Sequence, residues 1–199
     1  MSATEATLIV FAYLLGSVPT GYLVGTWMGV DVRAAGSGNV GATNVARVVG
    51  KRQGILTLAV DVAKGLIPVF AAFQLGFTPA AAALTGTAAF LGHLYPVFLK
   101  FQGGKGVATA LGVYAGLAPM VTLLLIVIFV AVALASRIVS LGSMAAALAA
   151  PVILWFFSYP PAVISLSAII AAMIILRHRG NLRRLLAGTE PRFDSISSR

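Results

Sequence analysis

Long apolar runs separated by short polar intervals set the plan of this chain. The runs cover roughly residues 6–30, 54–75, 79–99, 107–135, 141–157 and 160–176. They are too long for strands and rich in Ala, Leu and Gly, which is the signature of helices that cross a bilayer. At 1.5 Å rise per residue the first run is roughly 37 Å long, enough to span with some tilt. Pro19 beside Gly16 and Ser17 predicts a kink in it. Gly21, Gly25 and Gly29 recur every fourth residue and predict a small-residue face for close helix packing. In the second run Asp61 and Lys64 stand three residues apart, either as an ion pair within the helix or as part of a site. Between these runs lies the longest polar interval, residues 31–53. Residues 44–50 within it predict a short interfacial helix, capped by Asn44 and stopped by Gly50.

The stretch 107–135 is too long for one plain span, and Gly116 and Pro119 interrupt it. Charge decides its reading. Two spans with a turn at 117–120 bring the total to seven. All but Lys64 of the fourteen lysines and arginines then fall in loops on one face: Arg33, Arg47, Lys51, Arg52, Lys100, Lys105, Arg137, Arg177, Arg179, Arg183, Arg184, Arg192 and Arg199. A single span would put the tail arginines opposite the first two basic loops. The positive-inside rule therefore selects an all-α polytopic membrane helix bundle with seven transmembrane helices, N-terminus outside and C-terminus cytoplasmic. One or both helices of the 107–135 stretch must tilt, thin the bilayer or begin inside a re-entrant site. The opposite loops, near 76–78, 116–119 and 158–160, are short and chargeless, so any anion chemistry faces the cytoplasm. The whole chain, 1–199, reads as one integral-membrane domain.

Composition agrees: 59% hydrophobic, 10% charged and a mean hydropathy of +0.99 exclude a soluble globular protein. The first run is no cleaved signal, since only Glu5 precedes it in place of a basic segment and its apolar core is too long. Without cysteine the chain has no disulfide, thiolate nucleophile or Cys-bound metal, and two histidines make no metal cage. The net charge of +9 fits the topology, anionic lipid and anionic substrates. No basic stretch is interleaved with aromatics, which speaks against nucleic acid.

Four polar islands share the cytoplasmic face. The first is Gly36, Ser37, Gly38, Asn39, Val40, Gly41, Ala42, Thr43 and Asn44, followed by Arg47, Lys51 and Arg52. Its glycines, short hydrogen-bonding side chains and cations make an anion cradle. The spacing Gly36-x-Gly38-x-x-Gly41, with Asp61 about twenty residues on, matches a dinucleotide fingerprint. That motif requires a strand and a βαβ unit, which the flanking sequence excludes, so the phosphate chemistry is kept and the fold rejected. The second island, Gly103, Gly104, Lys105 and Gly106, is not a Walker A loop, because glycine follows the lysine and Leu99 stands where that motif needs glycine. It still offers N–H groups, a helix dipole and an ammonium to a phosphate. The third island spans 140–143 and the fourth 177–184. On a helix His178 and Asn181 would share a face, while most tail arginines suit anionic headgroups. His93, near the end of its run, reads as a structural histidine.

The acids are Glu5, Asp31, Asp61, Glu190 and Asp194, with no adjacent pair for acid–base work. The soluble acyltransferase pattern of His with Asp five residues on fails at Phe98 and Arg183, and the carboxylate clusters of CDP-alcohol phosphotransferases are missing. An enzyme built this way handles a negatively charged substrate that needs little activation. A small anion or lipid transporter is the reading from another class. Asp61, Lys64 and the 116–119 break speak for it, and the crowding of polar islands on one face speaks against it.

With these islands in view, the chain resembles the bacterial integral-membrane glycerol-3-phosphate acyltransferases that use acyl phosphate as donor. The resemblance rests on Gly16-Ser17-Val18-Pro19-Thr20-Gly21, on residues 36–44, on Gly103-Gly104-Lys105-Gly106-Val107-Ala108-Thr109, and on His178-Arg179-Gly180-Asn181-Leu182-Arg183-Arg184-Leu185, extending through Gly188 and Glu190. Leu182, where the family often has isoleucine, and a longer polar C-terminus are its departures. The resemblance implies seven spans in the bacterial inner membrane and a cytoplasm-facing site. Glycerol 3-phosphate would attack acyl phosphate there to give 1-acyl-glycerol 3-phosphate and phosphate, without metal, cofactor or obligate protein partner. It places Ser37, Arg47, Lys105, Ser143, His178 and Asn181 at the acceptor and reaction centre. Gly41, Ala42, Thr43 and Asn44 would cradle the donor phosphate, with Gly36, Gly38, Asn39, Gly103, Gly104 and Gly106 completing the substrate-binding set. Ser37 reads as a positioner, having no evident base beside it. The proton acceptor stays open between His178 and the acceptor's own phosphate, whose second pKa is about 6.

Overall fold

The computed structural model describes residues 1–193, and the expectations for Asp194 and Arg199 lie outside them. The described chain is all-helical and divides into two compact units, Met1–Leu117 and Ala118–Arg199.

In the first unit α1 (Ala3–Ser17) opens with a capping box, in which Ser2 and Glu5 satisfy each other's backbone N–H. The expected kink at Pro19 is a full break, and α2 (Thr20–Trp27) starts afresh beyond it. Proline has no N–H to continue the ladder, and Val18 before it is extended. Next come α3 (Ala42–Val48), α4 (Lys51–Gln74), α5 (Pro79–Leu94), a 3₁₀ turn (Val97–Leu99) and α6 (Val107–Leu117).

Backbones approach closely where glycines allow it. A Cβ on Gly16 would lie 2.0 Å from the Ala89 carbonyl oxygen, and one on Gly92 would lie 2.1 Å from that of Tyr13, so α1 and α5 touch main chain to main chain. The Gly21–Gly25–Gly29 face departs from its expected role. Gly21 and Gly25 pack against Val40, Val30 and Val32 of the following loop, and Gly29 lies beyond α2 with a φ of 74°. Packing loop against helix in this way brings the 31–41 segment down onto α2.

Of the two readings of Asp61 and Lys64, the pairing is realised. Lys64 Nζ stands 2.8 Å from Asp61 Oδ1, with side chains 3% and 2% exposed. The ammonium also donates to the carbonyls of Val18 at 2.8 Å and Gly16 at 3.3 Å. At the Pro19 break the Val18 carbonyl thus accepts from both the Thr20 N–H, at 3.0 Å, and Lys64, while the Gly16 carbonyl finds a donor in the ammonium.

The second unit holds α7 (Pro119–Ser136), α8 (Val139–Phe156), α9 (Pro161–Arg177) and α10 (Arg179–Leu186). The most apolar of the candidate spans is α7, and it is also the least buried, as a lipid-facing helix should be. A 57° bend separates α9 from α10.

The expected break in the 107–135 stretch is present at Ala118, between α6 and α7. On length, however, α6 falls short. Its 11 residues rise about 16 Å, roughly half a hydrocarbon core. Among the described residues five helical segments are long and apolar enough to cross a membrane, Ala3–Trp27, Lys51–Gln74, Pro79–Leu99, Pro119–Ser136 and Val139–Phe156, and the bent α9–α10 pair makes up to six.

Candidate functional site

The 36–44 loop turns through Gly36 and Gly38, whose φ angles of 61° and 70° suit glycine far better than other residues. Two asparagine side chains then shape it. Asn39 Oδ1 accepts the Gly41 N–H at 2.7 Å, closing an Asx turn ahead of α3. Asn44 Oδ1 accepts the Ser37 N–H at 2.8 Å, while its Nδ2 donates to the carbonyls of Val32 and Ala35 at 2.9 and 3.1 Å. This corrects the expected cap: Gly41 is the N-cap of α3, and the Asn44 side chain, buried within the helix, holds the loop instead.

Around this frame Ser37 and Thr43 are exposed, and Arg47 is half-buried in the last turn of α3. Among the described residues no carboxylate lies in ion-pair range of Arg47. Arg33 differs, being held by Asp31 at 2.9 Å and stacked on the Tyr22 ring. A half-buried guanidinium lacking a carboxylate, beside a glycine turn, suits bidentate hydrogen bonding to an oxyanion such as phosphate.

In the 103–106 loop Gly104 is buried and Lys105 half-buried, just ahead of α6. The loop is pinned to the end of α5 by Gly103 and Gly104, whose N–H groups donate to the Leu94 and His93 carbonyls at 3.2 and 3.1 Å. A Cβ on Gly104 would sit 2.2 Å from His93 Nε2, so the loop lies directly on that ring.

The second unit carries the remaining candidates. His178 is not on a plain helix with Asn181; it is the elbow residue between α9 and α10, and both are buried. His178 Nδ1 is 2.8 Å from the Ile174 carbonyl. A carbonyl only accepts, so Nδ1 carries a proton, and in the neutral form of the ring Nε2 is the basic nitrogen. Ser143, also buried, donates to the Val139 carbonyl one turn back in α8 at 3.0 Å.

Glu190, given no role from sequence, organises this region. Its Oε1 accepts from Ser140 Oγ at 2.6 Å and Asn181 Nδ2 at 2.5 Å, and its Oε2 from Arg184 Nε at 2.7 Å. An ionised carboxylate has no proton to give, so the amide of Asn181 must turn its NH₂ toward Glu190, which fixes the direction of its carbonyl. Burial pushes the Glu190 carboxyl up, but hydrogen bonds from Ser140, Asn181 and Arg184 outweigh it and hold the group below its ordinary value. The available signal was a lone glutamate in an arginine-rich tail.

Comparison with known proteins fits this arrangement to one family. The family model described as glycerol-3-phosphate acyltransferase matches residues 6–188. The chain belongs to that family. A glycerol-3-phosphate acyltransferase of Geotalea daltonii is 52% identical over 94% of this chain and 96% of its own length. One from Geobacter metallireducens is 56% identical over 95% and 97%, and one from Aquifex aeolicus 46% identical over 94% and 97%. Among solved structures, the glycerol 3-phosphate form of PlsY (YgiH), an integral membrane glycerol 3-phosphate acyltransferase, matches with a TM-score of 0.95 at 44% identity, covering 98% of both chains. Its lysophosphatidic acid form matches with a TM-score of 0.91 at 44% identity over 96% of both. For this acyltransferase family member, then, the membrane-helix fold read from the residue pattern stands. The dinucleotide spacing of Gly36, Gly38 and Gly41 shapes a loop between helices, with no strand among the described residues.

Proposed function

We propose that this protein transfers a fatty acyl group from acyl phosphate to glycerol 3-phosphate, giving 1-acyl-glycerol 3-phosphate and phosphate. The observation that carries the reading is Arg47, half-buried beside the 36–44 turn without a carboxylate partner, in a chain that matches the family over residues 6–188. The acceptor's hydroxyl oxygen attacks the acyl carbon, the bond from that carbon to the phosphate oxygen breaks, and phosphate leaves with the electron pair. Acyl phosphate is a mixed anhydride with a good leaving group, so no covalent enzyme intermediate is required. Positioning and charge stabilisation supply the rate.

In this reading Gly41, Ala42, Thr43 and the loop held by Asn44 seat the donor phosphate, with Gly36, Gly38 and Asn39 forming the turn. Arg47 grips phosphate, and Lys105, on its bed of Gly103, Gly104 and Gly106, faces developing negative charge as a point cation. Ser37 and Ser143 orient the acceptor by hydrogen bonds. His178, with its lone pair on Nε2, or the acceptor's own phosphate takes the hydroxyl proton, and Asn181 is oriented by Glu190. The ion pair that would favour a transporter is instead satisfied within α4 and at the α1–α2 break.

The topology we propose is seven crossings, N-terminus outside and C-terminus cytoplasmic, in the bacterial inner membrane, with the site facing the cytoplasm. The distribution of lysine and arginine supports it. The short α6 fits if the 103–106 loop lies below the membrane surface, so that Lys105 works from inside the interface.

Purified protein given palmitoyl phosphate and glycerol 3-phosphate should release phosphate and form lysophosphatidate in equal amounts, and acyl-CoA should not replace the donor. Equal rates with acyl-CoA would overturn the donor assignment. Glycerol phosphate accumulating in vesicles without acylation would return the protein to the transporters.

A further inference from the structure

The chemistry above makes no use of Asp61, Lys64 and His93, which are buried in the first unit. We propose that Lys64, with Asp61 as counter-ion, is a positioning residue that holds the 36–44 phosphate loop in its working shape from inside the membrane. This rests on the reading of that loop as the donor-phosphate seat.

The lysine ammonium is ion-paired with Asp61 Oδ1 at 2.8 Å and donates hydrogen bonds to the Val18 carbonyl at 2.8 Å and the Gly16 carbonyl at 3.3 Å. Both carbonyls lie at the α1–α2 break, so the ammonium caps the negative end of α1 and sets where α2 begins. From there contact passes directly into the loop. A Cβ on Gly21 would lie 1.9 Å from the Val40 carbonyl oxygen, meaning that α2 supports Val40 with bare backbone. Val40 immediately precedes Gly41, the N-cap of α3. Lys64, Asp61, His93, Gly21 and Val40 line one cavity.

The second glycine loop rests on the same cluster. His93 Nδ1 is 3.8 Å from Asp61 Oδ1, and its Nε2 side carries Gly104, next to Lys105. The pair is neutral as a whole, so it acts through the backbone it holds and not through field at the substrate. Methionine would fill a volume similar to lysine's without the desolvation cost that a buried ion pair carries. Packing alone therefore does not account for the charges, and an ammonium tying the Gly16 and Val18 carbonyls together across the break does.

The test compares Lys64→Met, Lys64→Gln and Asp61→Asn with Gly41→Val in the loop, measuring KM for palmitoyl phosphate and for glycerol 3-phosphate, kcat and the thermal midpoint in detergent. Lys64→Met should raise the palmitoyl-phosphate KM about tenfold, with the glycerol-phosphate KM within twofold. Lys64→Gln, whose amide keeps donors for both carbonyls, should stay within about threefold. Should Lys64→Met fail to fold, Asp61→Asn and Lys64→Gln carry the comparison, with Asp61→Asn the more impaired. If Lys64→Met and Gly41→Val move the same constant, but that of glycerol phosphate, the coupling holds and the seat assignment fails. Folded variants with both KM values unchanged, or a fall in kcat and thermal midpoint without discrimination between substrates, would overturn the proposal.

Discussion

The side-chain carbonyl of Asn44 accepts the backbone N–H of Ser37 at 2.8 Å, seven residues back along the chain. The same amide donates to Val32 and Ala35, so one buried side chain closes the loop from three directions. Asn44→Ala would leave these groups without their partner, at about 1–3 kcal/mol for each group left unsatisfied. The expected result is a loss of acyl transfer of 100-fold or more with a lowered thermal midpoint. Asn44→Asp, which keeps an acceptor but loses both donors, should be nearly as impaired, read from steady-state kinetics on purified protein.

His178 presents Nε2 as its basic nitrogen because Nδ1 is held by the Ile174 carbonyl. If it takes the hydroxyl proton, His178→Gln should lower kcat by about 100-fold or more and leave the glycerol-phosphate KM within twofold. A residual kcat within tenfold of wild type would assign the proton to the acceptor's phosphate.

The Glu190 clamp has a pH signature. Its carboxyl lies below the ordinary 4.5, so the folded state favours the charged form. That stability is fully present above the unfolded value and is lost as pH falls through the lowered one. The thermal midpoint of wild type should therefore drop below about pH 4.5 by more than that of Glu190→Gln. Equal acid sensitivity would remove Glu190 as the cause.

Gly104 lies on the His93 ring with no room for a Cβ. Gly104→Ala should displace the loop carrying Lys105 and cut kcat/KM at least tenfold. Gly180→Ala, where a Cβ meets only the end of Arg184 at 3.6 Å, should stay within threefold. Comparable losses at both positions would show that general helix packing, not the Lys105 loop, is being read.

Much of this protein is legible in its residue pattern. Apolar length marks the helices, and the turn between α6 and α7 follows from Gly116 and Pro119 together with the charge distribution. The islands at 36–44 and 103–106 stand out because glycine, short polar side chains and cations are costly to place among apolar helices unless they bind something. Residue types alone misread Asn44 as a cap, because capping preference is local and its hydrogen bonds reach twelve residues back to Val32. The glycines at 21 and 25 were misread for the same reason: four-residue spacing marks a bare helix face but not what packs against it.

By itself the sequence determined the membrane-helix class and the family through its ordered motifs. These depend on burial, transfer cost and short-range spacing, which act residue by residue. Tertiary structure alone decided that Pro19 breaks the first span, that Lys64 serves the carbonyls left there, and that Glu190 orients Asn181. The last two depend on groups distant along the chain, 46 residues for Lys64 and Val18 and 50 for Ser140 and the Glu190 carboxylate it anchors. Such pairings arise when a buried polar group must find a partner, and only the packed fold determines which partner is within reach.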